Sequence, residues 1–466
     1  CVKGMPWGSG PHNFMRRLFN IAEENGVNFF DDMLEPLFYN ALNVNRGEQG
    51  YCPALHCRMP FLAGGLFEPI DGYEWQHNNF AIPNSFFSNE NEKGIYNADG
   101  LLDIFDRYNF TMSEDEPMER EVAIDPEMLG KVFENLLDVT DRKSKGAFYT
   151  PREIVHYMCQ ESLINYLANK LTVPESDIRD LILYGDFIKD EDSDKEKRKT
   201  NGGMFISDNL LKLDKNGKVE INRLDELDNA LKTVRVADPA VGSGAFPLGM
   251  LNEIVRARSV ITEYMIIAKK TLAVSQEQEY ALARNIRIAR TQYHLKRETI
   301  RNCIFAADIE PSAVDIAQLR LWLSLVIDDE INPNATTLME GSRNPTPLPN
   351  LESNILCGNS LIDEFESVKL IKESDLIHSD EYQTTINQSQ FDEILAQLIE
   401  AQDDLFKCAN TEEKKQLKER ISDLRDAVIN EQLKGCDPAL IQRYEETKSL
   451  SAKPYILWQL DFARVF

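Results

Sequence analysis

Asp238-Pro239-Ala240-Val241-Gly242-Ser243-Gly244-Ala245-Phe246 closes a short apolar run, Thr233 to Ala237, and leads into a long helical stretch. The order is strand, tight turn, helix. In an open α/β sheet, ligands bind beyond the carboxyl ends of strands. Gly242 and Gly244 can adopt backbone angles closed to other residues and let a ligand approach the main chain. The helix that follows offers free N–H groups to a carboxylate. Asp238 places a negative charge beside them, which suits a ligand amino group. A dinucleotide turn calls for a third glycine and no leading Asp-Pro. This turn has only two glycines and runs on through Ala245 and Phe246. A glycine-rich turn without a ligand is the alternative.

A second apolar run, Cys303 to Ala307, ends at Asp308, and Pro311 opens a helix reaching about Asp328. An acid at the end of the next strand is where a ribose is held, because its two oxygens can take two hydroxyls. Capping of the following helix is the other reading. Asp308 lies 70 residues after Asp238, against roughly 20 in a minimal βαβ unit. The helical stretch of about 250–300 is therefore an insertion or an extended crossover. Ser353 to Cys357 is a third strand, followed by Gly358-Asn359-Ser360. Strands and helices alternating in this way predict an α/β fold.

The rest of the chain sets limits. With 466 residues, two or three domains are expected. No run of about 18 apolar residues occurs, so no membrane span is expected, and no signal peptide is visible. A cytoplasmic location is expected. The net charge of −26 argues against a chain that coats phosphate backbone over its whole surface. A local basic groove remains compatible with it. Arg284, Arg287, Arg290, Lys296, Arg297 and Arg301 recur on one helix and either meet DNA phosphate or form a solvated, ion-paired face. Cys52, His56 and Cys57 are spaced as metal ligands, but no second Cys/His pair completes four, so no metal is expected and the cysteines read as free thiols.

Residues 14–45 read as helical, with Phe14, Leu18, Ile21 and Ala22 on one face. Asp125-Pro126-Glu127 opens a helix whose stripe is Leu129, Val132, Phe133, Leu136 and Leu137. Thr150-Pro151 opens another. The charged stretch 186–220 reads as a solvated loop. Between 390 and 433 two amphipathic stretches form a helical hairpin, the second capped by Asn410 with Glu413 three residues on. Cys1-Val2-Lys3-Gly4 and Trp458 to Phe466 both read as interior sequence, so an excised piece of a longer chain is expected.

Gly146-Ala147-Phe148-Tyr149-Thr150-Pro151, then Asp238 to Phe246, then Asp308-Ile309-Glu310-Pro311, then Gly358-Asn359-Ser360 stand in the order found in gamma-class adenine-specific DNA methyltransferases. The chain most resembles the type IIG/IIS restriction–modification proteins, in which nuclease and methyltransferase share one polypeptide. Pro60 to Phe67, Ile124 to Gly130 and Ala313 to Leu325, with its Arg320-Leu321-Trp322-Leu323-Ser324-Leu325, resemble segments of the same proteins. The resemblance covers most of the chain.

That resemblance implies a partial Rossmann-like class I methyltransferase domain with S-adenosyl-L-methionine as cofactor and double-stranded DNA as partner through the parent protein. It implies that Phe148, Tyr149 and Thr150 line the pocket around the methionine part. Asp238, Pro239 and the Gly242-Ser243-Gly244 backbone, followed by Phe246, would hold the amino acid end. Asp308 would bind the ribose and Ile309 would pack on the adenine. Asn359, beside Ser360, replaces the usual acid at the adenine amino group. These enzymes act through Asn/Asp-Pro-Pro-Tyr/Phe on a flipped base. The sequence has no Pro-Pro dipeptide; Asn332-Pro333 and Asn344-Pro345 are misplaced and lack the second proline. No catalytic residue is therefore assigned, and little activity is expected of this chain alone. The implied layout is a mainly helical region over 1–135 and a methyltransferase domain over 136–365. A hairpin insertion over 366–455 follows, and 456–466 begins the segment leading to the missing motif. A nuclease-free phage-defence methyltransferase and a non-catalytic, partner-binding scaffold are the rivals.

Overall fold

A computed structural model of the chain describes residues 13–47, 50–55, 57–62, 65, 67, 79–111, 121–123, 126, 150–185, 221–270, 275–329, 346–362, 364–366, 368–369, 386–433, 437–447 and 455–465. The readings of His56, of the helix after Asp125, of Phe148 and Tyr149, of the 186–220 loop and of the two Asn-Pro pairs lie outside these residues. The chain divides into two compact units. One comprises Cys1–Leu129, Asp329–Leu351 and Lys407–Lys415; the other comprises Gly130–Asp328, Glu352–Phe406 and Gln416–Phe466.

The first unit is built on aromatic packing. Helix α1, Phe14–Asn25, buries Leu18, Phe19 and Ala22 and ends at Gly26, whose positive φ lets its N–H return to the last carbonyls. The expected helix over 14–45 is not continuous. Past Phe29 the chain winds in wider turns, over Phe30–Leu34 and Pro36–Leu42. Pro36 has no N–H to carry the regular ladder onward. Phe29 is fully buried and meets Phe19 and Phe87 edge-to-face, with centroids 5.1 and 5.0 Å away. Helix α2, Leu101–Arg107, follows. Strands β1 (Tyr51–Cys52) and β2 (Cys57–Arg58) pair antiparallel, and β3 (Asn109–Thr111) and β4 (Glu121–Ala123) pair parallel.

The second unit holds the predicted sheet. Helices α3 (Arg152–Lys170), α4 (Glu175–Tyr184) and α5 (Ile221–Lys232) precede strand β5, Val236–Asp238. Helices α6 (Ala245–Lys270), α7 (Gln276–Ala289) and α8 (Gln292–Cys303) then cross over to β6, Ile304–Asp308. The long separation of the two acids is thus occupied by helix. Helix α9, Pro311–Ile327, leads on to β7, Ile355–Cys357. The three strands run parallel in the order β5-β6-β7, with Asp238 opposite Ala306 and Asp308 opposite Cys357.

Alternation along β6 gives the sheet two faces. Ile304 joins a core formed by Leu163, Ile164 and Leu167 of α3, Ile178 and Leu181 of α4, Leu231 of α5, and Ile254 and Ile261 of α6. Phe305 and Ala307 point the other way and pack on Ile456 and Phe462. The C-terminal residues therefore cover the second face. After the hairpin β8 (Glu364–Phe365) and β9 (Val368–Lys369) come α10 (Ile386–Lys407) and α11 (Thr411–Leu433), the predicted helix pair. Helices α12 (Pro438–Thr447) and α13 (Trp458–Asp461) complete this unit. Leu398, Ile429, Tyr444, Leu457 and Leu460 form their shared core.

A buried ion cluster locks the crossover. Arg258 of α6, 1% exposed, donates to Asp228 of α5 at 3.0 Å and to Glu298 of α8 at 2.7 Å. Arg290 donates to the same Asp228 at 2.9 and 2.5 Å. Burial pushes the Asp228 carboxyl up, but hydrogen bonds from Arg290 and Arg258 outweigh it and hold the group below its ordinary 3.8. Removing one partner strands a buried charge, so Asp228→Ala is expected to cost about 3–5 kcal/mol in urea unfolding. Because the folded-state pKa is depressed, the cluster's contribution is complete above the unfolded carboxylate pKa. It is lost as pH falls through the lower folded value. The stability difference between wild type and Asp228→Ala should therefore shrink on acidification below about pH 4.

Candidate functional site at the carboxyl end of the sheet

Asp238 and Asp308 are the last residues of neighbouring parallel strands. Asp238 is level with Ala306, two residues before Asp308, so both acids project from the same face of the sheet. Their proximity is felt electrostatically. Burial first, and then the negative charge of Asp308, raise the Asp238 carboxyl above its ordinary 3.8 despite a hydrogen bond from the Ala240 N–H.

The turn between β5 and α6 is tied down at consecutive residues. Val241 N–H donates to the Ala307 carbonyl at 3.0 Å, and Gly244 N–H to the Val241 carbonyl at 2.9 Å. Gly242 N–H donates to Asp308 Oδ2 at 2.8 Å. Gly242 and Gly244 have φ of 52° and 84°, the left-handed region that glycine enters without steric cost. Their surroundings differ. A side chain at Gly242 would meet nothing within 4 Å, whereas a Cβ at Gly244 would lie 3.0 Å from the Ala317 Cα on α9. Gly244 thus allows a helix to approach, and Gly242 keeps the face of the turn open.

Asp308 has a double role. Oδ2 takes the Gly242 N–H, and Oδ1 takes the Glu310 N–H at 2.9 Å, at the start of α9. The carboxylate thus braces Glu310, the N-cap residue of α9, and does not itself cap the helix. Each carboxylate oxygen has a second acceptor site after its backbone bond is made. Ile309 follows, 62% exposed although apolar.

At the end of β7, Gly358 N–H donates to the Asp308 carbonyl at 2.8 Å. Asn359 Oδ1 accepts from the Leu361 N–H at 3.1 Å, and Ser360 Oγ donates to the Pro239 carbonyl at 2.5 Å. The loops after β5 and β7 are therefore joined directly. Trp458 Nε1–H donates to the Ser360 carbonyl at 3.1 Å, anchoring the C-terminal segment at the same rim. Leu361 is 88% exposed there.

The structure brings Asp238, Pro239, Gly242, Ser243, Gly244, Asp308, Ile309, Asn359 and Ser360 together at the strand ends. Phe246 is different: its side chain packs against the helical core, and its carbonyl lies 3.8 Å from Cys159 Sγ. Thr150 is half-buried just before α3. Glu253 of α6 ties the first turns of α3 to the helix leaving the glycine turn, through His156 Nδ1 at 2.7 Å and Gln160 at 3.2 Å.

Sequence reading singled out no residue beneath the turn. Arg320 of α9, 1% exposed, donates to the Ser243 carbonyl at 2.5 Å and lies 3.3 Å from its hydroxyl. The available signal was a guanidinium set among apolar residues in Leu319-Arg320-Leu321-Trp322. Basic residues on and between α7 and α8 are ion-paired. Arg287 meets Glu263 at 3.1 Å, Arg290 Asp228 at 2.5 Å, Lys296 Asp328 at 2.6 Å and Arg301 Asp403 at 2.5 Å. These contacts favour the ion-paired face over a DNA-facing one. A cleft of about 920 Å³ lined by Asp225, Asp228, Leu282 and Arg290 lies on α5 and α7, apart from the strand ends.

Residues 302–430, which contain Asp308, Arg320 and Asn359, match the Eco57I restriction-modification methylase family. A putative type II restriction enzyme and methyltransferase of Methanocaldococcus jannaschii is 29% identical over 367 residues, 76% of this chain and 26% of that protein. The Escherichia coli type II restriction enzyme and methyltransferase RM.Eco57I is 32% identical over 136 residues, 29% of this chain and 12% of that protein. The chain spans about a quarter of the length of the archaeal relative. No solved structure matches. The chain carries a restriction–modification methyltransferase region.

The two glycines separate strain from crowding. Gly242→Ala should cost about 1–2 kcal/mol, the price of a left-handed alanine. Gly244→Ala adds a contact with the α9 backbone and should cost about 1–3 kcal/mol more. Chemical unfolding of the two variants checks the order, and equal losses would contradict the close approach of α9.

Proposed function

We propose that this chain is the S-adenosyl-L-methionine-binding part of a site-specific DNA adenine-N6 methyltransferase belonging to a type II restriction–modification enzyme. The observation that carries the reading is the pairing of the glycine turn with two strand-end acids on one face of a parallel sheet. The names of the two relatives, each both restriction enzyme and methyltransferase, support the setting. The fold proposed is the Rossmann-like class I methyltransferase domain, centred on residues 136–365, with double-stranded DNA as the partner of the whole protein.

The residues fit the cofactor chemically. Asp238 offers a carboxylate to an ammonium group, beside the open face at Gly242. The remaining acceptor sites of Asp308 suit two ribose hydroxyls, and exposed Ile309 offers an apolar surface to an adenine ring. Asn359 Oδ1 can accept from an adenine amino group in addition to the Leu361 N–H. When bound, the cofactor would supply an electrophilic methyl group. The contribution of this chain is to hold the donor in one orientation, which is much of the catalysis in an in-line transfer. The Asn/Asp-Pro-Pro-Tyr/Phe motif that would receive the target base is not in this sequence.

Calorimetric titration with S-adenosyl-L-methionine tests the reading directly. Asp308→Ala removes charge-assisted hydrogen bonds and should weaken binding about 10- to 100-fold. Unchanged affinity would exclude the ribose role. Affinity should also fall on acidification, with a midpoint above 3.8, because protonated Asp238 no longer attracts an ammonium group. Asp238→Asn should weaken binding at neutral pH and remove that dependence. With DNA and labelled cofactor, the chain alone should transfer no methyl group.

A further inference from the structure

The peptide joining Ser243 to Gly244 is held on both sides. Its N–H, that of Gly244, donates to the Val241 carbonyl, and its C=O, that of Ser243, accepts from Arg320 Nη1 at 2.5 Å. Gly244, on one side of this peptide, and Gly242, just before Ser243, have φ of 84° and 52° and rotate with little steric resistance. Local sterics therefore restrain this stretch of the turn weakly. Its carbonyl is also away from water: Ser243 is 7% exposed and Arg320 is 1% exposed. A buried carbonyl that loses its donor must find another or leave the interior. Here the glycines on either side of Ser243 make reorientation the easy route.

We propose that Arg320 is the positioning residue of this site, a guanidinium that fixes the glycine turn from beneath so that the turn is organised before the cofactor arrives. The proposal rests on the cofactor reading given above. Four links act in series. Val241 is bonded to β6, Gly242 to Asp308, Gly244 back to Val241, and Ser243 to α9 through Arg320. The first and third join backbone groups and would be made by any sequence folding this way. The second and fourth depend on side chains, and of these Asp308 is itself placed in the cofactor site, whereas Arg320 is buried on α9. Ala317, one turn before Arg320 on the same helix, lies against the face of Gly244. Helix α9 thus abuts the turn at Ala317 and holds its carbonyl at Arg320. A buried group that restrains a binding loop raises affinity by lowering the ordering cost on binding.

The test uses the full chain with Arg320→Met, which keeps length and apolar packing but has no donor, and Arg320→Lys, which restores one donor. S-adenosyl-L-methionine affinity is measured by calorimetry, backbone exchange by hydrogen–deuterium mass spectrometry, and folding by thermal melting. Arg320→Met should weaken binding about 10- to 100-fold. Amide exchange should accelerate in the peptide spanning Gly242–Gly244 while protection in α8 and β6 is retained, and Arg320→Lys should recover part of both. Exchange that is unchanged at the turn, or that rises uniformly with a lowered melting temperature, would overturn the proposal. If Arg320→Met does not fold, Arg320→Lys decides by the same criterion. If the wild-type chain binds no S-adenosyl-L-methionine, the cofactor reading fails, and exchange at the turn still decides whether Arg320 positions it.

Discussion

The hydrogen bond from the Gly242 N–H to Asp308 Oδ2 joins the two halves of the strand-end site. It fixes the glycine turn to the next strand and orients the acid that ends that strand. The same carboxylate takes the N–H of Glu310, the residue before α9. Helix α9 then returns beneath the turn, where Gly244 has no side chain to obstruct it and Arg320 holds the Ser243 carbonyl. A charged acceptor bound by two backbone donors is a strong local constraint. Strand end, turn and helix start cannot shift independently while it holds.

That local order depends on a rigid crossover. Among the described residues three helices separate β5 from β6, and α6 with Cys303 of α8 shares one core with α3, α4 and α5. The Asp228, Arg258, Arg290 and Glu298 cluster fixes their mutual placement with buried charge-assisted bonds. Apolar packing alone tolerates sliding, whereas a guanidinium shared between two carboxylates has one geometry that satisfies it. Opposite this core, Ile456 and Phe462 cover Phe305 and Ala307, and Trp458 reaches the rim of the site through Ser360. The chain therefore passes both sides of the sheet before returning to the strand ends.

Part of the site was legible because its signals are local. Two glycines in a short turn announce unusual backbone angles, and both have positive φ. Asp238 and Asp308 end apolar runs and end strands. Other features depend on distant contacts. Phe246, grouped with the site, is partly buried and packs against the helical core. The long N-terminal helix gives way to wider turns around Pro36. Arg320 looked like part of a helix pattern until its carbonyl partner came into view.

The sequence by itself determined the order of strand, turn and helix, the residues able to take left-handed angles, and the acids at the strand ends. Each of these follows from the residue and its immediate neighbours. Only the tertiary structure decided what those groups touch. Gly242 meets an acid 66 residues away, Ser243 a guanidinium 77 residues away, and the arginines of α7 and α8 their carboxylates on other helices. The physical reason is that a hydrogen bond or ion pair forms by distance in space, which the spacing of residues along the chain does not record. The tight glycine turn read from the sequence is, in the fold, restrained from β6, from Asp308 and from beneath by α9.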